Sequence, residues 1–338
     1  MSAGGRGSGD RAPGAGDPGT LGAALLVAGA ACCFGAISTL CVVATRPPRP
    51  GAPGVALEAV LTWRYVLAAL VLAPVARASV ARGAGRRAGT APLTAGGRLR
   101  ALAVGGGGQA AVAFLSISAV RFIPVATVGF LFYTFPAWVT LLAALRGTER
   151  LDGAKLGALA LSLGGIACTV GLPGGPAGGA TSDAGPAWPG VVLALAGSLV
   201  YALYIPYLGR LQARSTPAGA ATWVCAGAAL ILGAGSAARG TLTAALGPAA
   251  WGAVGVLAFV CTVLAFIAFM GGLGRLGPVR TAIVSTVEPF FTAVLGAVAL
   301  GQPFGPATLA GGVLIAAAVL LLQRRPSEPA SATATAPV

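Results

Sequence analysis

Apolar runs of about twenty residues recur from one end of this 338-residue chain to the other. At a rise of 1.5 Å per residue, a helix of about twenty residues crosses the ~30 Å hydrocarbon core of a bilayer. Charged residues make up only 9% of the chain, whereas a soluble domain carries about 25%. The sequence therefore predicts an integral membrane protein and excludes a pair of ordinary soluble domains.

The fold class predicted from these runs is an all-α integral membrane protein with ten transmembrane helices. The helices are expected at residues 21–44, 57–76, 101–119, 123–145, 154–172, 188–208, 217–236, 251–272, 279–300 and 306–323. Residues 1–19 and 324–338 are rich in Gly, Pro, Ala and Ser, and they are predicted to be disordered cytoplasmic tails.

The distribution of basic residues predicts how the chain is oriented. The formal net charge is +14, and a basic stripe would indicate nucleic-acid binding. Instead the Lys and Arg residues lie between the apolar runs: of 22 in total, 17 fall on the side of the N-terminus, four fall on the other side, and Arg64 lies within a span. Basic residues are enriched in cytoplasmic loops. We therefore expect a multi-pass protein of the cell membrane with both termini in the cytoplasm and no nucleic-acid partner.

The two halves of the chain resemble each other, which predicts an internal repeat. The matching segments, in chain order, are Thr62-Trp63 with Thr222-Trp223, Arg121 to Thr127 with Arg275 to Thr281, and Pro136 with Pro289. We expect a first repeat at 20–173, an external linker at 174–187 and a second repeat at 188–323. Because each repeat holds five spans, the second must be inverted in the membrane, as in many secondary transporters.

Glu288 is the strongest candidate for a functional side chain, because it lies roughly 14 Å into its predicted span. A carboxylate at that depth costs about 2.5–3.5 kcal/mol, so it is expected to face the protein interior or a water-filled cavity. Thr281, Ser285, Glu288 and Thr292 would form one polar stripe along the helix. Two interpretations stay open, a substrate or ion pathway and a structural hydrogen bond to a neighbouring helix.

Pro289 and its repeat counterpart Pro136 predict interruptions in two corresponding helices. Each proline removes a backbone donor, so the carbonyl groups of Ser285 and Phe132 lose their helical partners. Such interruptions in both halves of a transporter point to a substrate site, although a kink that helps packing would leave the same pattern.

Arg64 lies about 11 Å into the second predicted span. It is a candidate for binding an anionic group, and snorkelling to the outer surface is the alternative. Four aromatic residues are further candidates for lining the pathway, although lipid contact or core packing would also account for them: Tyr133, Trp138, Tyr201 and Tyr204.

Several kinds of chemistry are not supported by the sequence. The chain has no histidine, its six cysteines form no CxxC pair, and Gly105 to Gly108 lack the Gly-Lys-Ser/Thr of a phosphate loop. That glycine run instead predicts close helix packing. We therefore expect no metal, no cofactor and no ATP-driven pump.

The segment from Ser285 to Pro303, which contains Glu288-Pro289 and then Leu300-Gly301-Gln302, resembles the EamA-type ten-helix members of the drug/metabolite transporter superfamily. Pro136 to Leu151 and Arg64 also match that pattern. The resemblance implies gate or turn residues at Glu149 and Gln302, although the family usually has Glu at the latter position. It further implies transport of amino acids, related metabolites or toxic compounds, with protons as the candidate coupling ion.

The predicted function is thus a secondary transporter, most simply an exporter, that works by alternating access on a small-molecule substrate in the lipid bilayer. A homodimer is the candidate assembly. The alternatives are a non-transporting scaffold or receptor subunit and an intramembrane enzyme. An intramembrane aspartyl protease would need two aspartates within the membrane. In this chain the aspartates lie in predicted tails or loops, outside the spans.

Overall fold

In a computed structural model, the described residues are 18–47, 54–83, 92–147, 152–170, 187–213, 215–276, 278–303 and 305–323. The described part of the chain is built from α-helices joined by short turns. The first half contains α1 (Pro18–Thr45), α2 (Leu57–Gly83), α3 (Ala95–Val104), α4 (Ala110–Ala119), α5 (Val125–Phe132), α6 (Phe135–Leu145) and α7 (Gly153–Val170). The second half contains α8 (Trp188–Ala213), α9 (Pro217–Ala238), α10 (Pro248–Ala258), α11 (Ala265–Leu276), α12 (Pro278–Ser285), α13 (Val287–Leu300) and α14 (Pro306–Gln323).

Eight helical segments within the described residues are long and apolar enough to cross a membrane. Two further apolar helices, Gly153–Thr169 and Pro306–Leu322, are shorter. Many large apolar side chains lie on the outer surface, such as Leu163, which is 67% exposed, and Val298, which is 80% exposed. The chain is therefore a multi-pass helical membrane protein; the count of ten spans and the inverted layout stay predictions.

Several helix boundaries differ from the predicted ones, and at two of the starts local capping favours an earlier residue. The third segment begins at Ala95 instead of 101, where the Thr94 side chain accepts a hydrogen bond from the Gly97 N–H at 3.2 Å. The eighth begins at Pro248 instead of 251, because proline suits the first turn of a helix, where its missing N–H has no partner to lose.

The predicted interruptions are present in both halves. The segment predicted at 123–145 is divided between Phe132 and Phe135, and the segment predicted at 279–300 is divided at Thr286. Each break lies just before one of the two matching prolines, Pro136 and Pro289. The interruption of both helices is therefore confirmed.

Two π-helical segments, which the sequence analysis did not predict, also lie at corresponding places. Gly105–Gln109 joins α3 to α4, and Phe259–Leu264 joins α10 to α11. A π-helical segment adds a residue to the turn and changes the direction in which side chains point, and such segments are frequent at functional sites. Both segments contribute to the site described below.

Small residues allow the helices to approach closely. A Cβ atom at Gly105 would overlap the backbone of Val224 on α9, and one at Gly227 would overlap the backbone of Leu102 on α3. The close-packing interpretation of the glycine run is therefore confirmed at Gly105. The most extensive helix contacts join α2 to α9 and α7 to α14.

Candidate functional site

A pocket of about 130 Å³ lies where α1, α2, the first π-helical segment, α4, α5 and α13 meet. Its polar and charged lining comes from Ser38, Arg64, Tyr65, Gln109, Tyr133, Glu288 and Thr292. Its apolar lining includes Phe34, Ile37 and Phe132. The two chain halves thus both contribute to one pocket, and it brings together a cation and a carboxyl group that are far apart in sequence.

Glu288 lies in the first turn of α13 and is held by Tyr133 at the end of α5. The Tyr133 hydroxyl lies 2.9 Å from Glu288 Oε2 and 2.6 Å from the carbonyl oxygen of Ser285. That carbonyl lost its helical donor to Pro289, so the tyrosine compensates for the break. The aromatic side chain, the carboxyl group and the interruption therefore form one structural unit.

The interruption in the first half is satisfied by a different side chain. Pro136 leaves the carbonyl group of Phe132 without its helical donor, and the Ser198 hydroxyl on α8 donates to this oxygen at 3.0 Å. Ser198 is fully buried. This residue was not predicted from the sequence; the unsatisfied carbonyl was the available signal, although the sequence did not show which helix would supply the donor.

Arg64 points into the protein, and only 5% of its surface is exposed. Its Nε donates to Thr262 Oγ1 at 3.0 Å, and its guanidinium lies 5.0 Å from the centre of the Tyr65 ring. The snorkelling alternative is therefore wrong. Thr262 belongs to the second π-helical segment, so this distortion places the hydroxyl that orients the arginine.

Gln109, the last residue of the first π-helical segment, joins two tyrosines. Its Nε2 donates to the Tyr65 hydroxyl at 2.9 Å, and the Tyr204 hydroxyl donates to its Oε1 at 3.0 Å. Tyr204 thus supports the pocket from behind without lining it. Gln109, Tyr65 and Thr262 were missed, although a lone glutamine in an apolar span following four glycines was a visible signal.

The remaining members of the polar stripe are divided by the helix break. Thr292 lines the pocket and its hydroxyl lies 3.0 Å from the carbonyl oxygens of Gly35 and Glu288. Ser285 and Thr281 lie on the preceding helix, α12, and their side chains are not part of the lining. The Ser285 hydroxyl donates to the Thr281 carbonyl at 2.9 Å, while the Thr281 hydroxyl oxygen is buried without a partner among the described residues.

The other aromatic candidates lie around the pocket. The Tyr201 ring contacts Phe132 and Phe135, with ring centres 5.1 and 4.9 Å apart. Trp138 and Pro136 lie on α6 outside the lining, and Trp138 Nε1 is buried with no hydrogen-bond partner among the described residues. Tyr201 therefore supports the wall, whereas Trp138 does not reach the pocket.

Gln302 caps a helix of the other half. Its Oε1 accepts a hydrogen bond from the backbone N–H of Val125, the first residue of α5, at 2.9 Å. This role needs an acceptor oxygen and no charge, which explains how glutamine serves where the resembling family usually has glutamate. Glu149, the other predicted gate residue, lies outside the described residues.

No group of three or more His, Cys, Asp or Glu residues that could hold a metal ion occurs in the described part of the chain. Nor does an ion pair join Arg64 to Glu288 among those residues; elsewhere, Glu58 pairs with Arg239 at 2.9 Å. The pocket therefore presents a guanidinium and a carboxyl group, not paired with each other, to whatever enters it.

Comparisons with a family model and with a relative both find similarity to transporters. Residues 188–324 match the model of the EamA-like transporter family. The uncharacterized transporter YcbK of Bacillus subtilis (strain 168) is 35% identical over 121 residues, which cover 34% of this chain and 39% of that relative. The match thus spans about two fifths of the relative's length. A protein crystal structure aligns with 90% of this chain and 99% of its own, with a TM-score of 0.57 and 22% identity, which shows a common fold.

Proposed function

We propose that this chain, whose residues 188–324 match the EamA-like transporter family, is a member of the drug/metabolite transporter superfamily that carries a small zwitterionic metabolite, such as an amino acid, across the membrane. The observation that carries this proposal is the shared pocket of Arg64 and Glu288. Arginine binds carboxylates through two parallel N–H groups, and a carboxylate binds an ammonium group. A zwitterion offers both partners at once.

The surroundings of Arg64 support a substrate that carries a negatively charged group. The guanidinium is buried within a membrane span, where an unpaired charge is costly. Its described contacts, the Thr262 hydroxyl and the Tyr65 ring, carry no negative charge. A substrate carboxylate would supply that charge.

The size of the pocket narrows the substrate class. Its volume of about 130 Å³ lies well below the ~300–1,000 Å³ of sites that hold drug-sized ligands. Phe34, Ile37 and Phe132 give an apolar wall beside the polar groups. This favours a small metabolite over the bulky toxic compounds that the resemblance also allowed.

Alternating access is the mechanism we propose, because the pocket adjoins two interrupted helices. α5 and α12 both end beside it, and such breaks let part of a helix move without unfolding the rest. We further propose export from the cytoplasm, a cell-membrane location with both termini cytoplasmic, and proton coupling through Glu288. The homodimer stays a prediction from the sequence.

The test is growth of a susceptible bacterial host over a panel of amino acids, their toxic analogues and antimicrobial compounds. Cells would express wild type, Glu288→Gln, or the control Glu58→Gln, at membrane abundances matched by immunoblot. Glu58 pairs with Arg239 outside the pocket. We expect wild type and the control to protect against an amino-acid analogue and Glu288→Gln to fail. Equal protection by all three would remove Glu288 from the pathway, and protection only against bulky compounds would contradict the zwitterion.

A further inference from the structure

The hydroxyl group of Tyr133 carries one proton but faces two acceptors. Its oxygen lies 2.6 Å from the Ser285 carbonyl oxygen and 2.9 Å from Glu288 Oε2, and both distances suit an O–H···O hydrogen bond. Tyr133 can donate a full, linear hydrogen bond to only one of them at a time. The second contact therefore needs a proton from its other member; a carbonyl oxygen has none, whereas a carboxyl group can carry one.

Two arrangements of protons follow from this geometry. With Glu288 protonated, its O–H donates to the phenolic oxygen and Tyr133 donates to Ser285, so every group is paired. With Glu288 ionised, the charged carboxylate is the stronger acceptor and takes the Tyr133 proton. The Ser285 carbonyl is then unpaired, because Pro289 has no N–H to offer. Both oxygen–oxygen distances suit a hydrogen bond, and only with Glu288 protonated are all three groups paired at once.

We infer that Tyr133 couples the protonation of Glu288 to the shape of the helix break at Thr286. An unpaired carbonyl is unfavourable away from water, so ionisation favours a conformation in which α12 and α13 shift and this oxygen is hydrated. The step releases one proton from Glu288 to water and rotates the Tyr133 O–H from Ser285 to the carboxylate. Tyr133 thus acts as a positioning residue, and its use in transport rests on the function proposed above.

The other titratable groups around Glu288 are not expected to change charge between mildly acidic and neutral pH. Those that face it are Cys32 of α1, Arg64 and Tyr65 of α2, Tyr133 at the end of α5 and Tyr201 of α8. Arginine remains charged throughout this range, while thiols and phenols ordinarily titrate above about pH 8. A conformational step in this range would therefore report the carboxyl group.

Hydrogen–deuterium exchange of the full chain in lipid nanodiscs tests the coupling without a substrate. The readout is the exchange of peptides that cover residues 281–292 from mildly acidic to mildly alkaline pH, corrected for the chemical dependence of exchange on pH. For wild type we expect exchange to rise with pH by roughly fivefold or more, the effect of one unpaired buried acceptor.

Three variants identify the cause of such a step. Glu288→Gln, whose amide always donates to Tyr133, should keep the low-exchange state at every pH. Tyr133→Phe, which leaves the Ser285 carbonyl unpaired throughout, should keep the high-exchange state. The control Tyr207→Phe removes an equivalent hydroxyl from an exposed tyrosine on α8 and should behave as wild type.

The coupling is overturned if exchange in the wild type does not rise with pH. It is also overturned if exchange rises by the same amount in either Glu288→Gln or Tyr133→Phe. If Tyr133→Phe does not fold, Glu288→Gln alone decides. If exchange rises with pH as expected but no amino acid is transported, the proposed function is wrong and the coupling stands. Glu288-dependent transport without a step would remove the coupling alone.

Discussion

Replacing Gly165 with alanine should separate α7 from α14, whereas the same change at its neighbour Gly164 should not. A Cβ atom at Gly165 would lie 2.5 Å from Ile315 Cγ1, 2.8 Å from the Gly311 carbonyl oxygen and 3.1 Å from the Ile315 nitrogen. Two of these three atoms belong to the backbone and cannot rotate away. A Cβ atom at Gly164 would meet only Leu314 Cδ1, at 4.0 Å.

The magnitude follows from comparing the two variants. Overpacking a close contact costs about 1–3 kcal/mol, and replacing a helical glycine with alanine gains about 1 kcal/mol in both variants. The gain cancels in the comparison, so Gly165→Ala should be less stable than Gly164→Ala by roughly 1–3 kcal/mol. Reversible unfolding of the purified protein in mixed micelles measures this difference. Equal stability of the two variants would refute the close contact between α7 and α14.

Two further substitutions test the hydrogen bonds that cross between helices. Gln302→Leu should lower the free energy of unfolding by about 0.5–2 kcal/mol because Val125 N–H loses its acceptor. Gln302→Glu, which keeps an acceptor oxygen, should retain stability. Equal loss of stability in both variants, measured by the same unfolding titration, would contradict the capping role. Ser198→Ala should cost about 1–3 kcal/mol by leaving the Phe132 carbonyl unpaired, and a melting temperature unchanged from wild type would show that another donor replaces it.

The membrane class and the helix breaks could be predicted because they depend on local sequence. Long apolar runs allow few structures other than membrane helices, and Pro136 and Pro289 remove specific backbone donors wherever they stand. The depth of Glu288 in the membrane stays a prediction from its position within an apolar run. Each of these predictions depends only on residues that are close together in the sequence.

The partners across helices could not be predicted in the same way. The π-helical segments turn Gln109 and Thr262 toward the pocket, and no periodicity of the sequence reported those distortions. Ser198 and Tyr133 satisfy two carbonyl groups that were expected to lack partners, yet their choice depends on which helices pack together. The break at Thr286 likewise divides the polar stripe, which a continuous helix would have kept on one face.

The central claim is that Arg64 and Glu288 bind the two ends of a zwitterion, and exchange in proteoliposomes tests it most directly. Vesicles loaded with a mixture of unlabelled L-amino acids would be given each radiolabelled amino acid in turn. We predict that wild type and Glu58→Gln exchange at least one small amino acid. Analogues that lack its amino or its carboxyl group should compete poorly. Arg64→Gln and Glu288→Gln should each slow exchange by about tenfold or more. Exchange at the wild-type rate in both pocket variants, or no exchange of any amino acid by wild type, would contradict it.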